Sequence, residues 1–435
     1  MTNPLYRNDS PGEFPDSWYA ATTDIPPPRP SLRGTHKADV CIVGAGYTGL
    51  TAALHLARKG LRVIVLDAHR AGFGASGRNG GMVCSGYNWM QKDLAAKLGH
   101  DTARALWDLA EDAKSDLRDL AARHASDSRY TPGAVYGACK AGDLPALHEE
   151  VAYVQDHYAY NAITPLDRTG IRDIVRTESY AGGTLDMGAG HIHPLRYAVG
   201  LAQAAVSAGA VIFEQSEVHH IAPGTPAKVR TGRGHVAADH VILAGNGYLP
   251  GLNRTVAAKV MPINSFMCAT EPLGDRAASV LARDVAVADT KFVVNYFRLS
   301  QDNRLLFGGR ESYSLGYPSD IKTALVARME GLFPQIKGVG IDHVWGGTLG
   351  ITATRLPSVQ RVAPNVIAAG GFSGHGVALS GMAGRVMAEA VMGQAGRFDV
   401  MSQLPVPSFP GGAAFRAPVL TLAMTWYALR DRLGV

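Results

Sequence analysis

Three observations in the sequence predict a mixed fold, α/β in one domain and α+β overall. A continuous apolar run, Val40 to Val43, leads through a glycine turn into a helical apolar pattern and then a second apolar run, "LRVIVLDA". That is a βαβ unit of Rossmann type. Strand, glycine loop and helix return near the other end in "NVIAAGGFSGHGVALSGMAGRVMAEAVMG". Between them "KFVVNYFRLS" and "NRLLFGG" read as antiparallel strands turning at "QD", which marks a second, mostly antiparallel-sheet domain.

Each element follows from local spacing. Residues 1–36, with "DIPPPRP" inside, predict an extended arm, because consecutive prolines cannot pair in a sheet. Val40 to Val43 is a buried parallel strand, and Leu50, Ala53, Leu54 and Ala57 recur at helical spacing until Gly60 ends the helix. A long helix is expected from an N-cap at Asp101 through Leu106, Leu109, Ala113, Leu117 and Ala121, and another over 143–160. "HIHPLRYAVGLAQAAVSAGAVIFEQSEV" predicts a helix, a glycine stop and a strand, and "HVILAGNGY" one more buried strand. Ala417 to Leu429, "APVLTLAMTWYAL", is too short to span a bilayer and predicts a docking helix. The expected division is an arm over 1–36, a discontinuous dinucleotide-binding domain over 37–92, 181–248 and 343–395, a substrate domain over 93–180 and 249–342, and a C-terminal extension over 396–435.

Composition removes several function classes. Lys+Arg minus Asp+Glu is 42 − 37 = +5, spread along 435 residues without runs, which disfavours a nucleic-acid or polybasic membrane partner. Cys41, Cys84, Cys139 and Cys268 form no CxxC pair and no zinc spacing, so neither a disulfide framework nor a metal site is expected. The opening residues lack a signal pattern, and no apolar stretch reaches the ~18 residues of a membrane span. A cytoplasmic protein without a transmembrane segment is the expectation.

Gly44, Gly46 and Gly49 form GxGxxG between strand and helix, where missing side chains allow a tight turn, close approach of N–H groups to a pyrophosphate, and close strand–helix contact. Asp67 stands at the end of the second strand, where a carboxylate accepts from ribose hydroxyls. NAD and FAD both satisfy this much. A second cluster, "GFGASGRNGG" at 72–81, favours FAD: six of its ten residues are glycine or alanine, and its Arg, Ser and Asn suit a loop that follows the pyrophosphate towards a broad ring. A third, "GGFSGHG" at 370–376, opens towards a helix whose N-terminal N–H groups would face the edge of a flavin gaining negative charge.

With these motifs in place, the chain resembles the D-amino-acid-oxidase-like, or glycine/sarcosine oxidase, superfamily of FAD enzymes. The matching stretches are "DVCIVGAGYTGL", "GFGASGRNGG", "GHIHPL", "RLSQDNRLLFGG", "GFSGHGV", "RFDVMSQLPVPSFPGG" and "RDRLGV". The resemblance implies a FAD-binding domain and a substrate domain whose sheet covers the exposed face of the flavin. It implies that Gly44, Gly46, Tyr47, Thr48, Gly49, Asp67 and Ala68 hold the ADP half. Ser76, Gly77, Arg78, Asn79, Gly80, Gly81 and Met82 would run along the pyrophosphate towards the ring, and Val218 would meet the adenine through its backbone. Gly371, Phe372, Ser373, Gly374, His375 and Gly376 match the flavin-edge turn. Sarcosine oxidases carry a flavin-linked cysteine that "WGGTLGITATRLPSV" lacks, so the FAD is expected to be non-covalent. Their lysine near the ring has no counterpart in "NRLLFGG".

The implied chemistry is oxidation of a small-molecule amine, with hydride passing from the amine-bearing carbon to flavin N5, an aldehyde and ammonia as products, and molecular oxygen as acceptor, giving peroxide. A desolvated aromatic pocket would favour the neutral amine. Tyr296 and Trp345 are candidates for its walls, or for core. His375 would stabilise the reduced ring, position substrate, or simply bond nearby backbone. Arg298, on the same strand face as Tyr296, would grip the α-carboxylate of a glutamyl group, or form a surface ion pair. His191 and His193 have the spacing of a metal pair but no third ligand, and His219 and His220 read as solvated strand-end residues. Two alternatives stand beside the oxidase: a FAD-dependent dehydrogenase of another secondary amine or a D-amino acid passing electrons to a carrier, and a non-catalytic flavin-binding scaffold.

Overall fold

In the computed structural model, residues 5–410 are described except 250, 313 and 315, so the expected docking helix over 417–429 and most of the C-terminal extension lie outside the described residues. Two sheets organise the described chain, one of eight strands and one of nine.

The first sheet grows from the glycine-motif strand. Gly34–Val43 lies between Gly234–Leu243 and Val63–Leu66, parallel to both, and the parallel order continues to Val211–Phe213 on one side and Val366–Gly370 on the other. Val40, Cys41 and Ile42 are fully buried, as a strand covered on both faces must be. On one face sit the helices Tyr47–Arg58, Pro194–Ser207 and Leu379–Val391, with the long helix His100–His124 against them, in a single apolar cluster. Helix Leu379–Val391 meets helix Tyr47–Arg58 backbone to backbone: a Cβ at Gly384 would lie 2.2 Å from the Thr48 carbonyl oxygen.

The second sheet runs in the order Ile341–Ile351, Met261–Thr270, Leu305–Ser312, Tyr296–Leu299, Ala286–Asp289, Thr131–Ala138, Gly182–His191 and Met82–Val83. Its pairings are antiparallel except between Ala286–Asp289 and Thr131–Ala138. The expected hairpin is present, with Tyr296 opposite Gly308 and Leu299 opposite Leu305.

Several boundaries differ from expectation, each for a non-local reason. Gly182–His191 and Ile341–Ile351, assigned from sequence mostly to the dinucleotide-binding portion, are strands of the second sheet, because their partners are Thr131–Ala138 and Met261–Thr270. The long helix starts at His100 with Gly99, at φ 85°, as its N-cap; Asp101 falls in the first turn, and the helix joins the first core rather than a substrate domain. The arm is anchored. Trp18–Ala21 form a short helix in which Trp18 and Tyr19 are almost fully buried, with the Tyr19 ring 5.3 Å from that of Trp345, while Asp9 pairs with Arg78. Residues 34–37 already belong to the first strand. No helix among the described residues is long and apolar enough to cross a membrane.

Candidate active site

A cavity of about 1640 Å³ runs between the two sheets. It exceeds the ~300–1,000 Å³ of ordinary small-molecule pockets, leaving room for an extended dinucleotide and a substrate. One end is the glycine motif: Gly44, Gly46, Tyr47 and Thr48 line it with Asp67, Ala68 and Val218. The cradle tolerates no side chains. Gly44 has φ 107° and a Cβ there would lie 2.7 Å from the Ala244 carbonyl oxygen; at Gly49 it would lie 1.9 Å from the Gly44 carbonyl oxygen. Asp67 accepts from Ala45 N–H at 2.7 Å and His69 N–H at 2.8 Å, and burial pushes its carboxyl up to about 6.

The second glycine loop forms the next stretch of wall. Ser76 Oγ accepts from Tyr47 N–H at 3.0 Å, tying it to the first turn, and Asn79 closes it by donating to the Ala75 and Ser76 carbonyls and accepting from Gly81 N–H. Ser76, Arg78, Asn79, Gly80 and Met82 line the cavity; Gly77 and Gly81 lie behind it, where a Cβ would lie 2.2 Å from the Gly72 and 2.1 Å from the Ile192 carbonyl oxygen. Arg78 is engaged structurally, donating to Phe73 and Gly346 carbonyls and pairing with Asp9 at 2.8 Å.

At the flavin-edge turn Gly371, Ser373 and Gly374 all have positive φ, and Phe372 to Gly376 line the cavity. The helix beyond begins at Leu379, and the turn forms the wall together with Val377 and, from the first turn of that helix, Ser380. His375 is half-buried, its Nε2 donates to the Gly86 carbonyl at 3.1 Å, and desolvation pushes its imidazole down to about 4, so it is neutral at physiological pH. Asn246, which sequence reasoning passed over, accepts from Gly371 N–H at 2.8 Å from a left-handed backbone. "GNGY" directly after a buried strand was the available signal.

The same cavity includes a chamber walled by Trp107, Tyr136, Tyr160, Phe292 and Tyr296. Tyr296 stands at the wall, with its hydroxyl 3.1 Å from Ser265 Oγ. The other two strand candidates are elsewhere. Trp345 is not on the wall; its indole donates to the Arg78 carbonyl and sits among Tyr19, Met267 and Leu306. Arg298 is not on the wall either, because its guanidinium is consumed by the Gly80, Leu299 and Ile192 carbonyls, where it supports the second glycine loop from behind. His193 caps helix Pro194–Ser207 through Nδ1, and His191 pairs with Asp284 at 3.0 Å. Among the described residues no cluster of His, Cys, Asp and Glu could hold a metal.

The chamber also holds a buried charged cluster with no sequence signature, its members lying far apart in the chain. Asp186 accepts from Ser85 Oγ at 2.6 Å and Tyr160 OH at 2.7 Å. Lys114, 1% exposed, donates to both hydroxyls and pairs with Glu111 at 2.8 Å.

A glycine-cradled dinucleotide groove that continues into an aromatic-walled chamber defines a flavin-linked oxidoreductase. The residues fit FAD: the cradle would be filled by any Cβ, and the Tyr87 hydroxyl, which lines the same cavity, is buried without a hydrogen-bond partner among the described residues. The chain belongs to the DAO family of FAD-dependent oxidoreductases, which matches residues 39–390. It is 40% identical over 425 residues to the gamma-glutamylputrescine oxidoreductase of Escherichia coli K12, covering 97% of this chain and 100% of that protein. It is 41% identical over 417 residues to the probable oxidoreductase OrdL of Rhizobium meliloti, covering 96% and 97%. The crystal structure of glycine oxidase from Geobacillus kaustophilus superposes with a TM-score of 0.69 at 23% identity, over 82% of this chain and 95% of that one.

Proposed function

We propose that this FAD enzyme oxidises the primary amine of gamma-glutamylputrescine or a close relative, in the cytoplasm, with molecular oxygen as the electron acceptor. The observation that carries the reading is the continuity of the cavity from the dinucleotide cradle, past the turn Phe372–Gly376, into the aromatic chamber. The whole-length similarity to an oxidoreductase named for that substrate supports it. Bound FAD supplies the acceptor for a hydride from the amine-bearing carbon, and the imine so formed hydrolyses to an aldehyde and ammonia.

The protein's own contribution is to present a neutral amine. Trp107, Tyr160 and Tyr296 exclude water at the chamber wall, which lowers the pKa of an alkylammonium. Asp186, held in place at the same wall by Ser85, Tyr160 and two backbone N–H groups, attracts the ammonium as it arrives, a pull opposed to the deprotonation that the apolar rings favour. His375, neutral and bonded to Gly86, keeps the flavin-edge turn in register with the strand Met82–Val83 and the segment after it. Non-covalent retention fits the cysteines, because Cys84, the one cysteine among the described lining residues, has a thiol that burial pushes up to about 12.

The test is anaerobic mixing of the holoprotein with gamma-glutamylputrescine, putrescine and sarcosine while the visible flavin band is followed, and then admission of air. Bleaching by the glutamylated amine alone, with recovery and peroxide in air, is the expected outcome. Bleaching without recovery in air would replace oxygen by another acceptor. No bleaching by the glutamylated amine would reject the substrate.

A further inference from the structure

We infer that Arg355, at the mouth of the chamber, is the specificity-determining residue that binds a carboxylate at the far end of the substrate from the reacting amine. This rests on the reading that the substrate is an amine carrying such a carboxylate. A glutamyl group brings an α-carboxylate that must leave bulk water as the chain enters, and a planar guanidinium with a free fork is the side chain that matches it.

Three arginines are found among the described lining residues: Arg78, Arg310 and Arg355. Arg78 is paired with Asp9 and lies at the dinucleotide loop. Arg310 donates to the Asp320 carbonyl. Arg355 forms no ion pair with a described carboxylate, and its guanidinium is held over the Phe292 ring, 4.8 Å from the centroid. Phe292 belongs to the segment that precedes the second-sheet strand Tyr296–Leu299, and both residues line the cavity.

The backbone beneath Arg355 is built to aim it. Arg355 has φ 63°, a left-handed conformation that is unfavourable for an L side chain and survives only where neighbours impose it. They do so at several points. Arg355 N–H donates to the Thr352 carbonyl, Thr352 Oγ1 donates to the Leu356 carbonyl, and Trp89 Nε1 donates to the Thr354 carbonyl at 2.8 Å. Asn88 Nδ2 donates both to the Arg355 carbonyl at 3.2 Å and to the Ser373 carbonyl at 3.1 Å, so one amide ties the arginine turn to the flavin-edge turn. A glycine would fit this backbone better. An arginine held there, with no ion pair to a described carboxylate, at the rim of a cavity, is what an incoming anion requires.

The strained backbone also supplies a clean test, because Arg355→Gly removes the side chain while favouring the φ. Calorimetric titration of the oxidised holoenzyme would use gamma-glutamylbutylamide, which keeps the α-carboxylate but lacks the terminal amine that the proposed reaction oxidises, and its analogue lacking the α-carboxylate. Arg355→Gly is expected to weaken the acid by about 10- to 100-fold, the range for hydrogen bonds to charged groups, to leave the decarboxylated analogue unchanged, and to keep full FAD and an equal or higher Tm. Arg355→Lys should recover part of the loss. Equal binding of the acid by wild type and R355G, or a wild type that does not prefer the acid, would overturn the inference. If Arg355-dependent binding holds while gamma-glutamylputrescine fails to bleach the flavin, the inference stands and the proposed reaction falls.

Discussion

The Tyr296 ring lies over Gly308, its partner across the sheet, so closely that a Cβ at 308 would be 2.1 Å from Cζ. The glycine is therefore what lets the ring lie along the chamber wall. Gly308→Ala should push the ring off that wall, at an overpacking cost of about 1–3 kcal/mol. The expected signature is a lower holoprotein Tm and a kcat/KM for the amine that falls while FAD content is kept.

Cofactor affinity should depend on Asp67 and on pH. Burial raises its carboxyl to about 6, whereas ribose hydroxyls favour the carboxylate, so binding FAD below that pH must expel a proton. The Kd for FAD should rise by up to about tenfold per pH unit as pH falls below about 6, and be flat above it. Fluorescence titration of the apoprotein checks this, and Asp67→Asn should bind weakly at every pH with the slope abolished.

Lys114 is nearly inaccessible and its charge is balanced by Asp186, through Ser85 and Tyr160, and by Glu111. Replacing it with Met leaves Asp186 a buried anion without its cation, an uncompensated charge of the kind that costs about 3–5 kcal/mol. Urea denaturation should show a loss of that size for Lys114→Met and a smaller loss for the Lys114→Met/Asp186→Asn pair.

His375 should make the folded protein acid-sensitive without titrating in catalysis. Its imidazole is pushed down to about 4, below the ~6.5 of an unfolded chain, so the stability of the neutral folded form is present above 6.5 and is lost as pH falls from there through about 4. His375→Asn should flatten the fall in Tm over that window. The kcat/KM profile of the wild type should carry no histidine limb between pH 5 and 8.

Denaturation should release all the flavin. With the Cys84 thiol at about 12, the nucleophilic thiolate is absent at neutral pH. Acid precipitation is expected to leave the full flavin absorbance in the supernatant, and Cys84→Ser to carry the same flavin content.

What could be read from sequence was what is local. The βαβ unit, its three glycines and Asp67 lie within 34 residues, where strand, turn and helix periodicity speak for themselves. Tyr296 was legible as a wall residue, but Arg298, two positions on and on the same face, was not legible as a support, because the second glycine loop that covers it is more than 200 residues away. Strand Gly182–His191 has the composition of either sheet, and only its pairing with Thr131–Ala138 assigns it. Lys114, Ser85, Tyr160 and Asp186 meet from four separate elements or loops, and the left-handed turn at Arg355 is imposed by Asn88 and Trp89, not by its own residue type.

The strand order of the first sheet has a consequence for biosynthesis. Gly34–Val43 emerges early from the ribosome, but its neighbour Gly234–Leu243 follows some 200 residues later and Val366–Gly370 later still. At about 5–20 residues per second, the cofactor cradle has no floor for the first tens of seconds of translation. Flavin loading is thereby confined to a nearly finished chain, and a nascent protein stalled before residue 370 would expose the apolar faces of both neighbouring strands to any chaperone present.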